Sequence, residues 1–320
     1  MLAVLRYRHI PYALLVEDGS TKNLPAPRVE LLPTFYFPDG AEAMEAVVDS
    51  TPIIRRLEEE YPIRSIIPEN PGLSFINDLL EDFADEWLTK AMFHYRWSFE
   101  EDIRLSGDIL PRWRDLRAQD EEIAPLSKLF SERQISRLGF VGSNEVTAAT
   151  IEASYVRVLR LMRNHLPNGP YLLGQRPSSA DFAFYGQLTQ LTHFDPTPQK
   201  LALEVAPQVY AWVDRVDDLS GIQPQAEDWF DVTSLPDTCS DLLREVGRVY
   251  VPLLLANAEA IRDNKGLVET TIDGTPWQQS PFPYQVKCLA SLRNTWASLS
   301  PQDQTELGPL MSETGCDLLF

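Results

Sequence analysis

Hydrophobic and polar positions along the chain follow two regimes. In residues 1–66 the apolar runs are short and rich in aromatic and β-branched residues. From Ser74 onward they recur at helical spacing. Leu2 to Arg8 reads as the last turns of a helix, and Tyr12 to Val16 as a strand after Pro11. NLPAPRVE (23–30) is a loop with two prolines. LPTFYF, Leu32 to Phe37, is the strongest β-rich run, closed by the turn signal Pro38-Asp39-Gly40. EAVV (45–48) supplies the next strand. In DSTPIIRRLEEEYP, Ser50 or Thr51 is expected to cap a helix and Pro52 to fill its first turn. Ile53, Ile54, Leu57 and Tyr61 form its apolar stripe, and Pro62 stops it.

SFINDLLEDFADEWLTKAMFHYRW sets Phe75, Ile76, Leu79, Leu80, Phe83, Trp87, Leu88, Ala91, Met92 and Tyr95 on a helix of about six turns. Further helices are predicted over 121–138, 144–166, 178–193, 198–218, 239–263, 283–299 and 301–311. Only LVETTIDGTPW, with Asp273-Gly274, reads as a hairpin in this half. IPENPGLS (67–74) is the expected linker. The chain thus reads as α+β: a small α/β domain over 1–66, an all-helical domain over 74–220 and a helical extension over 221–320.

Charge narrows the class of function. Of 320 residues, 28 are Lys or Arg and 47 are Asp or Glu, for a net charge of −19. Nucleic acid and anionic membrane surfaces both demand basic patches, so neither is an expected partner. No apolar run reaches the length of a membrane span, and the first residues lack the features of a signal peptide. Cys239, Cys288 and Cys316 are scattered and form no CxxC pair. They imply neither a disulfide framework nor a zinc site, and a reducing cytoplasm is the expected setting.

Candidate chemistry is sparse. EDFADE places Glu81, Asp82, Asp85 and Glu86 within two turns, but no E-x-x-H partner accompanies them. A solvated acidic face is expected there, and no metal site. His9, His165 and His193 have no metal-ligand spacing and read as structural or surface residues, and Cys288 as core. No Walker loop, Rossmann glycine pattern or G-x-S-x-G elbow occurs. Ser178 and Asp181, in YLLGQRPSSADFAFYGQL, have the S-x-x-D spacing of a capping box.

Taken in order, LLPTF, DSTPIIRRLEEEYP, YLLGQRPSSADFAFYGQL and APQVYAWVDRV resemble the glutathione transferase superfamily over residues 1–220. The resemblance implies an incomplete thioredoxin-like α/β domain followed by the family's all-α domain. It implies a cis-proline at Pro33. Leu32 would pair through its backbone with the cysteinyl part of glutathione, and Asp49 and Ser50 would hold its γ-glutamyl end. Glutathione is the implied co-substrate, a small electrophile the implied partner and a homodimer the implied assembly. Tyr95 and Arg96, in HYRW, would border the electrophile pocket; the alternative is a packed helix end with Arg96 on the surface.

One departure bears on activity. The family carries its catalytic Tyr, Ser or Cys at the end of the first strand or the start of the first helix. A β-α-β unit needs about thirty residues, and only Met1 to Pro11 precede Tyr12. The first strand and its catalytic residue are therefore expected to lie before Met1. Tyr7 falls late in the first helix and is not assigned that role. Weak or absent conjugation is expected, and the alternative is a non-catalytic binding or interaction protein of the same fold. A thiol reductase of this superfamily needs a cysteine at the first helix, and residues 1–60 contain none.

Overall fold

In a computed structural model, residues 1–15, 23–40, 43–113 and 115–320 are described. They divide into two compact units, Met1–Ile66 with Asp218–Gln223, and Ile67–Asp217 with Pro224–Phe320.

The first unit contains helix α1 (Leu2–Tyr7), strands β1 (Thr34–Asp39) and β2 (Ala43–Val48), and helix α2 (Ser50–Glu60). The strands pair antiparallel, from Thr34 opposite Val48 to Asp39 opposite Ala43. The expected turn at 38–40 begins later than its sequence suggests, because β1 continues through Asp39 and Gly40 takes a φ of 79°. Leu5, Ile10, Phe37, Ile53 and Leu57 form the core of this unit, with Phe35 and Val47 packed against it. Arg8 is buried beside it, ion-paired to Glu58 at 2.9 Å and donating to the Tyr61 carbonyl. The strand expected at Tyr12–Val16 does not form over its described part. Residues 12–15 have no regular structure and are exposed, and Val16 lies outside the described residues.

The second unit begins with α3 (Pro71–Phe83) and α4 (Thr89–Ser98), joined through a π-helical turn at Ala84–Leu88. Then come α5 (Glu100–Arg112), α6 (Asp120–Ile135), α7 (Leu138–Val141), α8 (Ala148–His165) and α9 (Ser179–Thr189). A second π turn at Gln190–Phe194 leads to α10 (Pro196–Val205) and α11 (Pro207–Val216). The single helix expected over 198–218 is two, because Pro207 starts a new helix after an extended Ala206. Beyond residue 224 come α12 (Asp237–Glu245), a π turn at Val246–Tyr250, α13 (Val251–Arg262), hairpin strands β3 (Val268–Ile272) and β4 (Thr275–Gln279), α14 (Pro283–Ser298) and α15 (Pro301–Thr314). The predicted Asp273-Gly274 turn closes that hairpin, with φ of 51° and 74°. Phe83 packs on Phe184 and Tyr250 with ring centroids 6.0 Å apart, and Trp87 on Trp277 at 5.3 Å. Residues after 224 therefore share one apolar core with α3, the π turn and α9. Among the described residues no helix is long and apolar enough to cross a membrane.

The acidic stretch Glu81–Glu86 is only partly solvated, with Asp82, Asp85 and Glu86 part-exposed. Glu81 is buried and accepts from the Ser179 hydroxyl, Asp82 accepts from Tyr250 Oη at 2.7 Å, and Glu86 accepts from Gln285 Nε2 at 3.1 Å. Ser179, Tyr250 and Gln285 come from sequence positions about a hundred or more residues away, which the local pattern does not reveal. Among the described residues no His, Cys, Asp and Glu grouping is arranged to hold a metal ion. Cys239, Cys288 and Cys316 are free and buried.

Candidate functional site

The first unit gathers four of the singled-out residues. Because Thr34 pairs with Val48, Leu32-Pro33 and Asp49-Ser50 lie at the same end of the β1–β2 hairpin. Each pair flanks the last rung of the ladder. The Leu32–Pro33 peptide bond is cis, and the Leu32 side chain is 94% exposed. Thr34 Oγ1 donates to the Leu31 carbonyl at 2.7 Å and fixes the entry to the strand.

Asp49 is the N-cap of α2, a role assigned from sequence to Ser50 or Thr51. Its carboxylate accepts from the Thr51 N–H at 3.3 Å. The difference arises because the helix starts one residue earlier, with Ser50 already in its first turn. Asp49 has φ 80° and ψ 125°, a conformation that costs a non-glycine residue about 1–3 kcal/mol. Such strain concentrates at sites where geometry serves a ligand. The helix N-terminus also supplies N–H donors and a partial positive charge, suited to a carboxylate. The corner thus brings together a helix N-terminus, the capping carboxylate of Asp49 and the exposed Leu32 before a cis-proline.

Tyr7 is fully buried, with the Arg64 guanidinium 4.6 Å above its ring. It is part of the core of this unit and presents no face to a ligand.

In the second unit Tyr95 and Arg96 sit near the end of α4, at 3% and 8% exposure. Tyr95 stacks on Phe99 at 5.4 Å and meets Tyr155 edge-on at the same distance. Arg96 makes a two-pronged contact with Asp195, Nε to Oδ1 and Nη2 to Oδ2 at 2.9 Å each, and donates to Gln190 at 2.8 Å. Burial pushes the Asp195 carboxyl up and Arg96 pulls it back down. The surroundings of both residues are packed interior, and the arginine's charge is matched within it.

Ser178 and Asp181 form both halves of the capping box. The Asp181 N–H points to Ser178 Oγ at 3.4 Å, and Asp181 Oδ2 accepts from the Ser178 N–H at 2.9 Å. Asp181 Oδ1 also accepts from the Leu172 N–H at 2.8 Å, which ties the preceding loop to α9. Burial pushes the Asp181 carboxyl up to about 6 against these bonds.

Residues 123–215, from α6 to α11, match the family model of the glutathione S-transferase C-terminal domain. That segment belongs to the glutathione transferase superfamily. No curated protein matches it at a significant level. Within the matched segment of this glutathione transferase relative lie the capping box and the partner of Arg96, Asp195.

Two constellations were not assembled in the sequence reading. Trp87 Nε1 donates to Ser154 Oγ at 2.8 Å, and Ser154 donates to Glu245 at 2.7 Å. Arg157 clasps the same carboxylate at 2.7 and 2.9 Å and reaches Asp273 at 2.9 Å. The second is a line of ionisable residues, Asp82, Glu86 and Lys90, four apart along α3, the π turn and α4. Their i, i+4 spacing was the available signal.

Proposed function

We propose that this protein binds glutathione at the β1–α2 corner and is a weak or non-catalytic member of the transferase superfamily. The observation that carries the reading is the hairpin register, which sets Leu32-Pro33 and Asp49-Ser50 at one end of the ladder. Glutathione lies extended past Leu32-Pro33, where main-chain donors and acceptors can be matched in pairs. Its γ-glutamyl carboxylate faces Ser50 and the α2 N–H groups, and its ammonium faces Asp49. A small electrophile is the second substrate, the cytoplasm the setting and a homodimer the assembly that the family implies.

Ser50→Ala is expected to weaken glutathione binding by about tenfold, the loss of one hydrogen bond to a charged group. Titration calorimetry measures it, and unchanged affinity would remove the ligand from this corner.

The burial of Tyr7 leaves that hydroxyl no access to a ligand thiol, in keeping with its not being assigned the catalytic role. Lowering the thiol's pKa is the main chemical task of conjugation, because the thiolate is the nucleophile. Glutathione is therefore expected to bind with little acceleration of its addition to a chloronitrobenzene electrophile. A rate at saturating glutathione of several turnovers per second would show that another group activates the thiol.

A further inference from the structure

Helix α6 (Asp120–Ile135) carries two stripes. The first packs inward: Ile123 and Ser131 are buried, with Ser127, Phe130 and Gln134 half-buried beside them. Its close approach to α5 rests on Gly107, where a Cβ would lie 2.5 Å from Ser131 Oγ. The second stripe is Glu122, Leu126, Leu129 and Arg133. At about 100° per residue these four positions fall within about 60° of arc, roughly 110° around the helix from the buried stripe. All four are exposed, Leu126 at 52% and Leu129 at 64%. Single exposed leucines are ordinary, but these two stand together with opposite charges at either end.

The order of this stripe is self-complementary. Its spacing of four, three and four residues is the same read in either direction. A second copy laid antiparallel therefore sets Leu126 against Leu129 and Glu122 against Arg133, each twice. Charge agrees with that arrangement. A chain of net charge −19 repels its own copies, so contact between copies needs a locally neutral surface. Residues 120–137 hold four acidic and three basic side chains, a near balance. The acidic ones gather at the start as Asp120–Glu122, and the basic ones follow as Lys128, Arg133 and Arg137. Asp120 pairs with Arg112 at 2.8 Å and Lys128 with Glu132 at 3.9 Å, whereas Arg133 has no ion-pair partner among the described residues. Glu122 accepts from the Gln119 N–H through Oε2 and keeps Oε1 for a partner. Leu116, in the turn before α6, is 87% exposed, and Phe140 of α7, just after it, 64%. The antiparallel arrangement brings these two ends together and extends the apolar contact.

We propose that α6 is a self-association surface, on which a second copy of this chain docks antiparallel about a two-fold axis between residues 127 and 128. Four leucines fill its centre, and two Glu122–Arg133 pairs close its ends. One helix face with its flanks is small beside a standard interface of about 800 Å² per partner, so the dimer forms with micromolar affinity. The surface lies in the helical unit and does not depend on the glutathione reading.

Sedimentation velocity of the full chain, from a few to a few hundred micromolar, tests it. The wild type passes from monomer to dimer across that range. Glu122→Arg sets arginine against arginine at both ends, and Arg133→Glu sets glutamate against glutamate. Each raises the dissociation constant by about tenfold or more. An equimolar mixture of the two single variants restores both pairs and recovers the dimer, as does the chain carrying both exchanges. Should Glu122→Arg, which loses the Gln119 bond, fail to fold, the exposed Arg133→Glu alone decides. A wild type that stays monomeric overturns the proposal and leaves the stripe to a different protein. A dimer whose constant is unchanged in Arg133→Glu pairs through another face and overturns it too, as does a mixture of folded single variants that stays monomeric.

Discussion

Asp195→Ala is expected to lower the unfolding free energy of the helical unit by about 3–5 kcal/mol, the cost of leaving a buried charge without its partner. Asp195 is fully buried and takes a two-pronged contact from Arg96, whose side chain is only 10% exposed. Ser106 of α5 also points its hydroxyl at the same carboxylate, at 3.4 Å. Removing the carboxylate strands the guanidinium in an apolar surround, with Phe194 4.8 Å away. Urea unfolding followed by circular dichroism reads the loss as a lowered midpoint at unchanged slope. Arg96→Met combined with Asp195→Leu removes both charges and should recover much of the stability, because well-packed apolar replacements of buried pairs are often neutral. A single-variant loss below about 1 kcal/mol would mean that water reaches Arg96. That result would return Tyr95 and Arg96 to an accessible pocket. The experiment thus bears on the electrophile site as well as on stability.

What could be read from the sequence follows the range of the interactions involved. The Ser178–Asp181 capping box is legible because its partners are three residues apart, and the Asp273-Gly274 hairpin because its turn chemistry is local. The amphipathic helices at 148–165 and 283–298 carry their periodicity on their face. The acidic run Glu81–Glu86 is less solvated than its sequence suggests, because Ser179, Tyr250 and Gln285, which the fold brings in from far along the chain, bond its carboxylates. Helix α5 escaped notice because the positions it buries, Asp102, Ser106 and Gly107, are polar or small and give no apolar signal. The π turns at 84–88, 190–194 and 246–250 have no sequence signature at all; each inserts within or at the end of a helix whose pattern continues smoothly. At the candidate ligand corner the residue types were legible, and their juxtaposition was not. Nothing in LLPTF or DSTPII states that Thr34 pairs with Val48, and that register brings the four residues to one place.

Gly174→Ala is expected to destabilise the helical unit by about 3–5 kcal/mol, from two penalties that add. The first is conformational: Gly174 has φ 144°, outside the range that L side chains readily adopt. The second is steric: a Cβ there would lie 2.1 Å from the Asp228 carbonyl oxygen and 3.1 Å from the Phe230 nitrogen. Both are backbone atoms and cannot rotate away. The close approach has a purpose. The Gln175 N–H donates to the Asp228 carbonyl at 2.7 Å and the Phe230 N–H to the Leu173 carbonyl at 2.9 Å, so Leu173–Gln175 forms a short bridge with Asp228–Phe230. That bridge joins the family-matched segment, just before the capping box, to the chain beyond residue 224. An alanine must push the two backbones apart and break both hydrogen bonds. The expected result is a thermal midpoint lower by about 10 °C or more, with protection from hydrogen exchange lost first at Gln175 and Phe230. Gly186, where a Cβ would meet nothing within 4 Å, is the control, and Gly186→Ala should leave stability unchanged or slightly raised because alanine is the better helix former. If Gly174→Ala melted as Gly186→Ala does, the bridge would not constrain the fold, and the region after 224 would have to be held by its helical contacts alone.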